Sequence, residues 1–227
     1  MTASGGSPML AAAALLLAAV PWTSGAETNS ETSYNTVIPL YGRVLGFHLP
    51  DGFVAQAPKS NGTNFLMEFV PKGETVETWT RLVTIQAYRG AAREPTSSAD
   101  IARGAFEPKA CNIGPVYLFG GEQVVHGALK RSLVVNGCAS LPAGAYPKAM
   151  RGASERDAIL FFRDADTLYT LNYAERSPLA NKVAPFTLDS AKAKLTEIFG
   201  DVRLCTNAAE PGCKEIIAVN EARRAAQ

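Results

Sequence analysis

Two histidines, a handful of serines and four cysteines are the residues whose types could do chemistry in this chain of 227 residues. His48 sits in the apolar run Val44-Leu45-Gly46-Phe47-His48-Leu49, where a half-buried strand histidine is the ordinary outcome. His126 follows Val125 and reads as a surface strand position. Acyl transfer needs a nucleophile, a base and an orienting acid that converge in space. Ser132 or Ser140 with His126 and some Asp is the set that can be drawn, and a hydrolase using His126 or His48 in a non-standard Ser/His site is the alternative reading. The local signatures of such enzymes are missing: there is no G-x-S-x-G elbow, S-x-x-K, H-E-x-x-H, P-loop or G-x-G-x-x-G. Asp164-Ala165-Asp166 lacks the further oxygen ligands and distal Glu of a calcium loop, and reads as a hairpin tip of solvated acids. No catalytic residue, cofactor or metal ligand is assigned from sequence.

The cysteines say more about compartment than about catalysis. Cys111, Cys138, Cys205 and Cys213 include no C-x-x-C, and two histidines are few for a zinc site. An even number in an exported chain favours disulfides. Of the three connectivities, Cys111–Cys138 and Cys205–Cys213 are preferred because each closes a modest loop.

Export is read from the N-terminus. Met9 to Val20 is apolar but well short of the roughly 20 residues that span a bilayer. Pro21 stops it, and Ser24-Gly25-Ala26 supplies the small-x-small pattern of a signal-peptidase site. The expectation is a signal peptide over 1–26, a flexible leader over 27–36 and a single α+β domain over 37–227, periplasmic or secreted. No later apolar stretch reaches spanning length, so no membrane span is expected. All 22 basic and 21 acidic side chains follow Ala26, and the net charge of +1 leaves no footprint for nucleic acid. Lys130-Arg131 and Arg223-Arg224 are isolated basic pairs. Asn61-Gly62-Thr63 fits a glycosylation sequon, read here as a polar turn.

The elements that must position these groups follow from periodicity. Strands are expected over 44–49, turned by Pro50-Asp51-Gly52, and over 64–70, stopped at Pro71. Thr75 to Thr80 reads as one helical turn. Leu82 to Tyr88 alternates with a period of two, Val83, Ile85 and Ala87 on one face, as a half-buried strand does. Ser97 caps a helix that Asp100 supports from three residues on and Pro108 ends. Val116–Phe119, Gln123–Leu129 and Arg131–Gly137 read as three short strands, with Gly120-Gly121 as the turn between the first two. Runs over 158–163 and 167–173 form the clearest hairpin. Thr187 to Phe199 is the clearest helix, with Leu188, Ala191, Leu195, Ile198 and Phe199 on one face and Gly200 at its end. Residues 216–226 read as a tail helix. The sum is an α+β domain: an antiparallel sheet packed by two or three helices.

One motif stands apart: Glu68-Phe69-Val70-Pro71-Lys72-Gly73-Glu74, then Glu77-Thr78-Trp79-Thr80 and Leu82-Val83-Thr84-Ile85-Gln86. It resembles a stretch of secreted and periplasmic bacterial proteins in which a strand ends in Pro-x-Gly-Glu, a Trp follows, and a Val-Thr-Ile strand comes next. The element order also resembles the PsbP-like α/β/α sandwich. That resemblance implies an accessory or binding role and carries no catalytic residue onto this chain. Pro71, Gly73, Glu74 and Trp79 have a physical reading without it: Gly73 permits the turn, the acids favour a helical turn's positive end, and Trp79 anchors the turn on the sheet. The leading functional expectation is an exported, non-catalytic accessory protein that binds an envelope protein or a small ligand through one face of its sheet. An envelope-structural protein with no small ligand is the third possibility.

Overall fold

In the computed structural model, the described residues are 34–93, 95–107, 111, 113–126, 128–142, 153–178, 184–207, 209–210 and 213–214. The expected signal peptide and tail helix lie outside them. A long antiparallel sheet organises the rest. Its strands are β3 (Phe53–Ala55), β4 (Lys59–Ser60), β5 (Asn64–Pro71), β6 (Arg81–Arg89), β7 (Ile113–His126), β8 (Leu129–Ser140), β9 (Ser154–Arg163) and β10 (Thr167–Ser177), in the order β3-β5-β6-β10-β9-β8-β7 with β4 on β5. A second sheet, β1-β2-β11, joins β1 (Tyr34–Leu40), β2 (Arg43–Leu49) and β11 (Arg203–Cys205). Helix α1 covers Ser98–Phe106 and α2 covers Leu188–Phe199. The α+β class is therefore as the periodicity implies.

Because strand side chains alternate, each long strand feeds two cores. Val83, Ile85, Ala87, Val135, Ala158, Leu171 and Tyr173 point to the α2 side, where they meet Ala191, Leu195 and Phe199 of α2 and Ile38, Leu45 and Phe47 of the small sheet. Phe199 sits edge-on to Phe47 and Tyr173, with centroids 5.6 and 6.3 Å apart. Val134, Ile159, Phe161 and Leu168 point the other way and pack on Ala102, Ile101 and Phe106 of α1. The sheet is thus covered on both faces, and β6 is buried on both rather than half-buried: Thr84, opposite in sense to Val83, is also buried.

Both helices start where their caps dictate. Ser97 Oγ accepts the Asp100 N–H at 3.1 Å, and Thr187 forms a reciprocal capping box with Ser190. Gly200 stands at φ +62 and ends α2 through its N–H to the Thr196 carbonyl. Two of the expected elements differ. Gly120-Gly121 is a bulge inside one 14-residue strand: β8 pairs Val134 with Phe119 and Ser132 with Glu122, so the extra residue sits on β7, with Gly121 at φ +81. Glycine serves a bulge and a turn by the same conformational freedom, so sequence alone does not separate them. Residues 75–80 are a turn instead of a helical turn. Glu74 accepts both the Thr80 N–H (2.6 Å) and the Thr80 hydroxyl (2.7 Å), which closes the loop without a helix. The leading strand also begins at Tyr34, ahead of Val37.

Both expected disulfides are present, Cys111–Cys138 and Cys205–Cys213. The first ties the approach to the edge strand β7 onto β8. The second holds the end of β11 to a buried Cys213.

Candidate functional site

A cleft of about 540 Å³ opens along α2, between the helix and the bulged part of β7 and β8. Its floor is apolar: Leu133 and Leu160 rise from the sheet, and Leu188 and Leu195 come down from α2. The bulge shapes it. A Cβ on Gly120 would lie 3.3 Å from both the Leu133 carbonyl oxygen and Leu188 Cδ2, so the bare glycine lets α2 and the sheet meet at this corner. The size is that of a small-ligand pocket.

The polar groups around that floor differ in their surroundings. Arg131 lies half-buried on the sheet side and, among the described residues, makes no hydrogen bond, ion pair or ring contact. Gln123, its neighbour across the β7–β8 ladder, is likewise open to a ligand. Lys192 and Asp189 line the α2 side and are exposed. Asp201 is already paired with Arg203, with Nε–Oδ2 at 2.7 Å. A guanidinium without a protein partner is free to pair with a bound anion.

A second hollow, of about 470 Å³, sits at the start of α1 and is lined by Ser97, Ser98, Glu122, Lys130 and Arg163 among others. Its charges are spent on structure. Lys130 pairs with Glu122 at 2.7 Å, and Arg163 donates to the carbonyls of Thr96 (2.6 Å) and Ala92 (2.9 Å). Burial works to raise Glu122, but the pairing with Lys130 at its side outweighs it and holds the carboxyl below its ordinary range.

No protein-family model and no curated protein matches the chain. Among solved structures, the chain is similar to the Ran-binding protein Mog1p of Saccharomyces cerevisiae, with a TM-score of 0.40 and 14% identity over 74% of this chain and 93% of that one. A likeness of that degree does not bear on what this chain does.

The residues singled out from sequence fall in different places. Ser140 pairs with Ile113 at one end of the β7–β8 ladder and His126 with Leu129 at the other. Eleven strand steps separate them on β8, roughly 35 Å, so they cannot share a site. Ser132 is buried on the α1 side of the sheet, and its hydroxyl has no hydrogen-bond partner among the described residues. His48 lies on β2 beside the end of α2, its Cβ 3.7 Å from where a Cβ on Gly200 would stand. The described residues lining the cleft include no histidine. Among the described residues, no group of three or more His, Cys, Asp or Glu gathers to hold a metal.

Asp164 and Asp166 are not a solvated tip. Asp164 Oδ1 accepts the N–H groups of Asp166 (2.9 Å) and Thr167 (2.8 Å), while Oδ2 accepts from Arg43 (3.1 Å) and the Tyr169 hydroxyl (3.2 Å). Burial opposes ionisation, but these donors together hold the Asp164 carboxyl below its usual range. The Tyr169 hydroxyl, on a buried side chain and next to that carboxylate, is pushed up to about 12. The short loop is thus a strut between the hairpin and β2. In the motif, Gly73 stands at φ +90 in the turn after Pro71, Glu74 ties that turn to Thr80, and Trp79 is buried against Val70, Leu82 and Ala174. The Arg176 guanidinium stacks on the indole at 3.7 Å and pairs with Glu155.

Two groups of consequence carry no sequence signal. Arg131 looks like half of a surface Lys-Arg pair; the period of two sends Lys130 to the α1 side and Arg131 into the cleft. Asp157 looks like an ordinary strand acid, yet it is 5% exposed. Burial, then the neighbouring Glu155 carboxylate, drives it well above the usual carboxylate range, against the Asn172 amide (3.4 Å) and Arg176.

Proposed function

We propose that this protein is an exported accessory protein that binds a small ligand in the cleft between α2 and β7–β8 and does no chemistry on it. The observation that carries the reading is the cleft itself: an apolar floor, a glycine bulge that shapes one wall, and a half-buried arginine with no partner among the described residues. Ligand pockets combine apolar surface with placed polar groups, and this cleft offers both in about equal measure. Export is supported by the two disulfides, which persist in oxidising compartments. Among the described residues, no helix is long and apolar enough to cross a membrane.

Native mass spectrometry of protein purified from the periplasm tests the reading. A small-molecule mass should travel with the folded chain and leave on unfolding. A thermal shift should follow incubation with small-molecule fractions of a periplasmic extract. Failure of both would overturn ligand binding as the function.

A further inference from the structure

We propose that the cleft takes an amphiphilic anion, with its carboxylate or phosphate head on Arg131 and its apolar body on Leu133, Leu160, Leu188 and Leu195. The inference deepens the binding reading and rests on it.

Charge selects the head. Of the charged residues lining the cleft, Asp201 is neutralised by Arg203, which leaves Arg131 and Lys192 facing Asp189 alone. Lys192 and Asp189 are exposed and hydrated, so each contributes little. Arg131 is part-buried beside the leucines of the floor and has no partner among the described residues, so its guanidinium is available to an oxyanion that enters the cleft. Its planar fork suits two oxygens of one head group, and Gln123 across the ladder offers an amide to the same group. A cationic ligand would set its charge against Arg131, and a wholly apolar one would leave the guanidinium desolvated and unpaired.

Volume selects the body. A cleft of about 540 Å³ is in the range of small-ligand pockets. A ten-carbon chain with its head group is a ligand of that class. The leucines offer it no donor or acceptor, so the chain binds by burial alone.

The probes are decanoate, decyl phosphate, decanol and decylamine, titrated into the full mature chain with methyl-labelled leucines followed by NMR. Decanoate and decyl phosphate should shift the Leu188 and Leu195 methyls and bind at least tenfold more tightly than the other two; their ratio tells which head is preferred. Arg131→Met should weaken both anions roughly ten- to hundredfold and leave decanol within about threefold. Arg131→Lys keeps the charge and loses the fork, so it should fall between; it also stands in if the Met variant does not fold. Lys192→Gln should change little. Equal binding of decanol and decanoate, or anion affinity indifferent to both Arg131 variants, overturns the anionic head while cleft binding stands. If none of the four probes moves the cleft methyls, the amphiphile class is wrong, and the mass-spectrometric experiment decides binding separately.

Discussion

Asp157 lies in β9 with its carboxyl buried, and its folded-state pKa is raised. Between the ordinary carboxylate value near 3.8 and that raised value, the folded chain binds more protons than the unfolded one. The contribution of Asp157 to stability therefore falls as pH rises through that window and stays low above it. Asn172 donates its amide to Asp157, while its own buried Oδ1 has no partner among the described residues. Asp157→Asn removes the titration and supplies an N–H for that oxygen. The variant should be more stable than wild type at pH 7 by about 1–2 kcal/mol and no more stable at pH 3.5. Urea melts at the two pH values measure this; a gain of equal size at both would mean that ionisation is not the cause. Arg176, whose charge acts on Asp157, also stacks on Trp79, so the indole is held by a small apolar cluster and by a guanidinium. Trp79→Ala should cost about 3–5 kcal/mol, and Glu74→Ala only about 1–2, because the latter frees two hydrogen bonds at an exposed loop. If denaturant midpoints put Glu74→Ala at or above Trp79→Ala, the motif is held by its turn and not by its tryptophan.

At the scale of elements, local signals are readable and non-local ones are not. The caps Ser97 and Thr187, the stripe Ala191-Leu195-Phe199, the alternation along β6 and the apolar runs of β9 and β10 are written within a dozen residues each, and they mark α1, α2 and the central strands. The bulge in β7 is not readable, because Gly-Gly permits either outcome and the choice lies with the partner strand β8. The pairing of β11 with β2 joins residues more than 150 positions apart, and no local period marks it. The cleft follows the same rule: Leu188 and Leu195 are legible in the α2 stripe, but its arginine is not, since only the β7–β8 register says which of Lys130 and Arg131 faces α2. Two glycines make the point testable. Gly104, exposed in the last turn of α1, has nothing within 4 Å of where a Cβ would stand, so Gly104→Ala should stabilise by about 0.5–1 kcal/mol through helix propensity. Gly120→Ala meets a backbone carbonyl and Leu188 at 3.3 Å and should destabilise by about 1 kcal/mol or more. Equal signs for the two in chemical denaturation would show that α2 is not seated tightly on the bulge.

The two disulfides connect the fold to the compartment proposed for the whole molecule. Their closed segments span 27 and 8 residues, and the chain-entropy relation assigns them about 3.5 and about 2.5 kcal/mol. Domains of this kind have a total stability of only about 5–15 kcal/mol. Reduction should therefore remove a large part of the margin, and the larger loss should come from Cys111–Cys138, which secures the long edge strand. The oxidised chain should show a higher urea midpoint than the same chain in excess reductant. Cys111→Ala with Cys138→Ala should reproduce more of that drop than Cys205→Ala with Cys213→Ala. The proposed export accounts for the arrangement, since such bonds form outside a reducing cytosol. Expression of the full sequence in a bacterial host with fractionation of the envelope then completes the test. The periplasmic fraction should hold a chain that begins at Glu27 and has no free thiol by mass spectrometry under non-reducing conditions. Recovery of full-length chain with four free thiols from the cytosol would separate the bridges from export and leave the compartment without support.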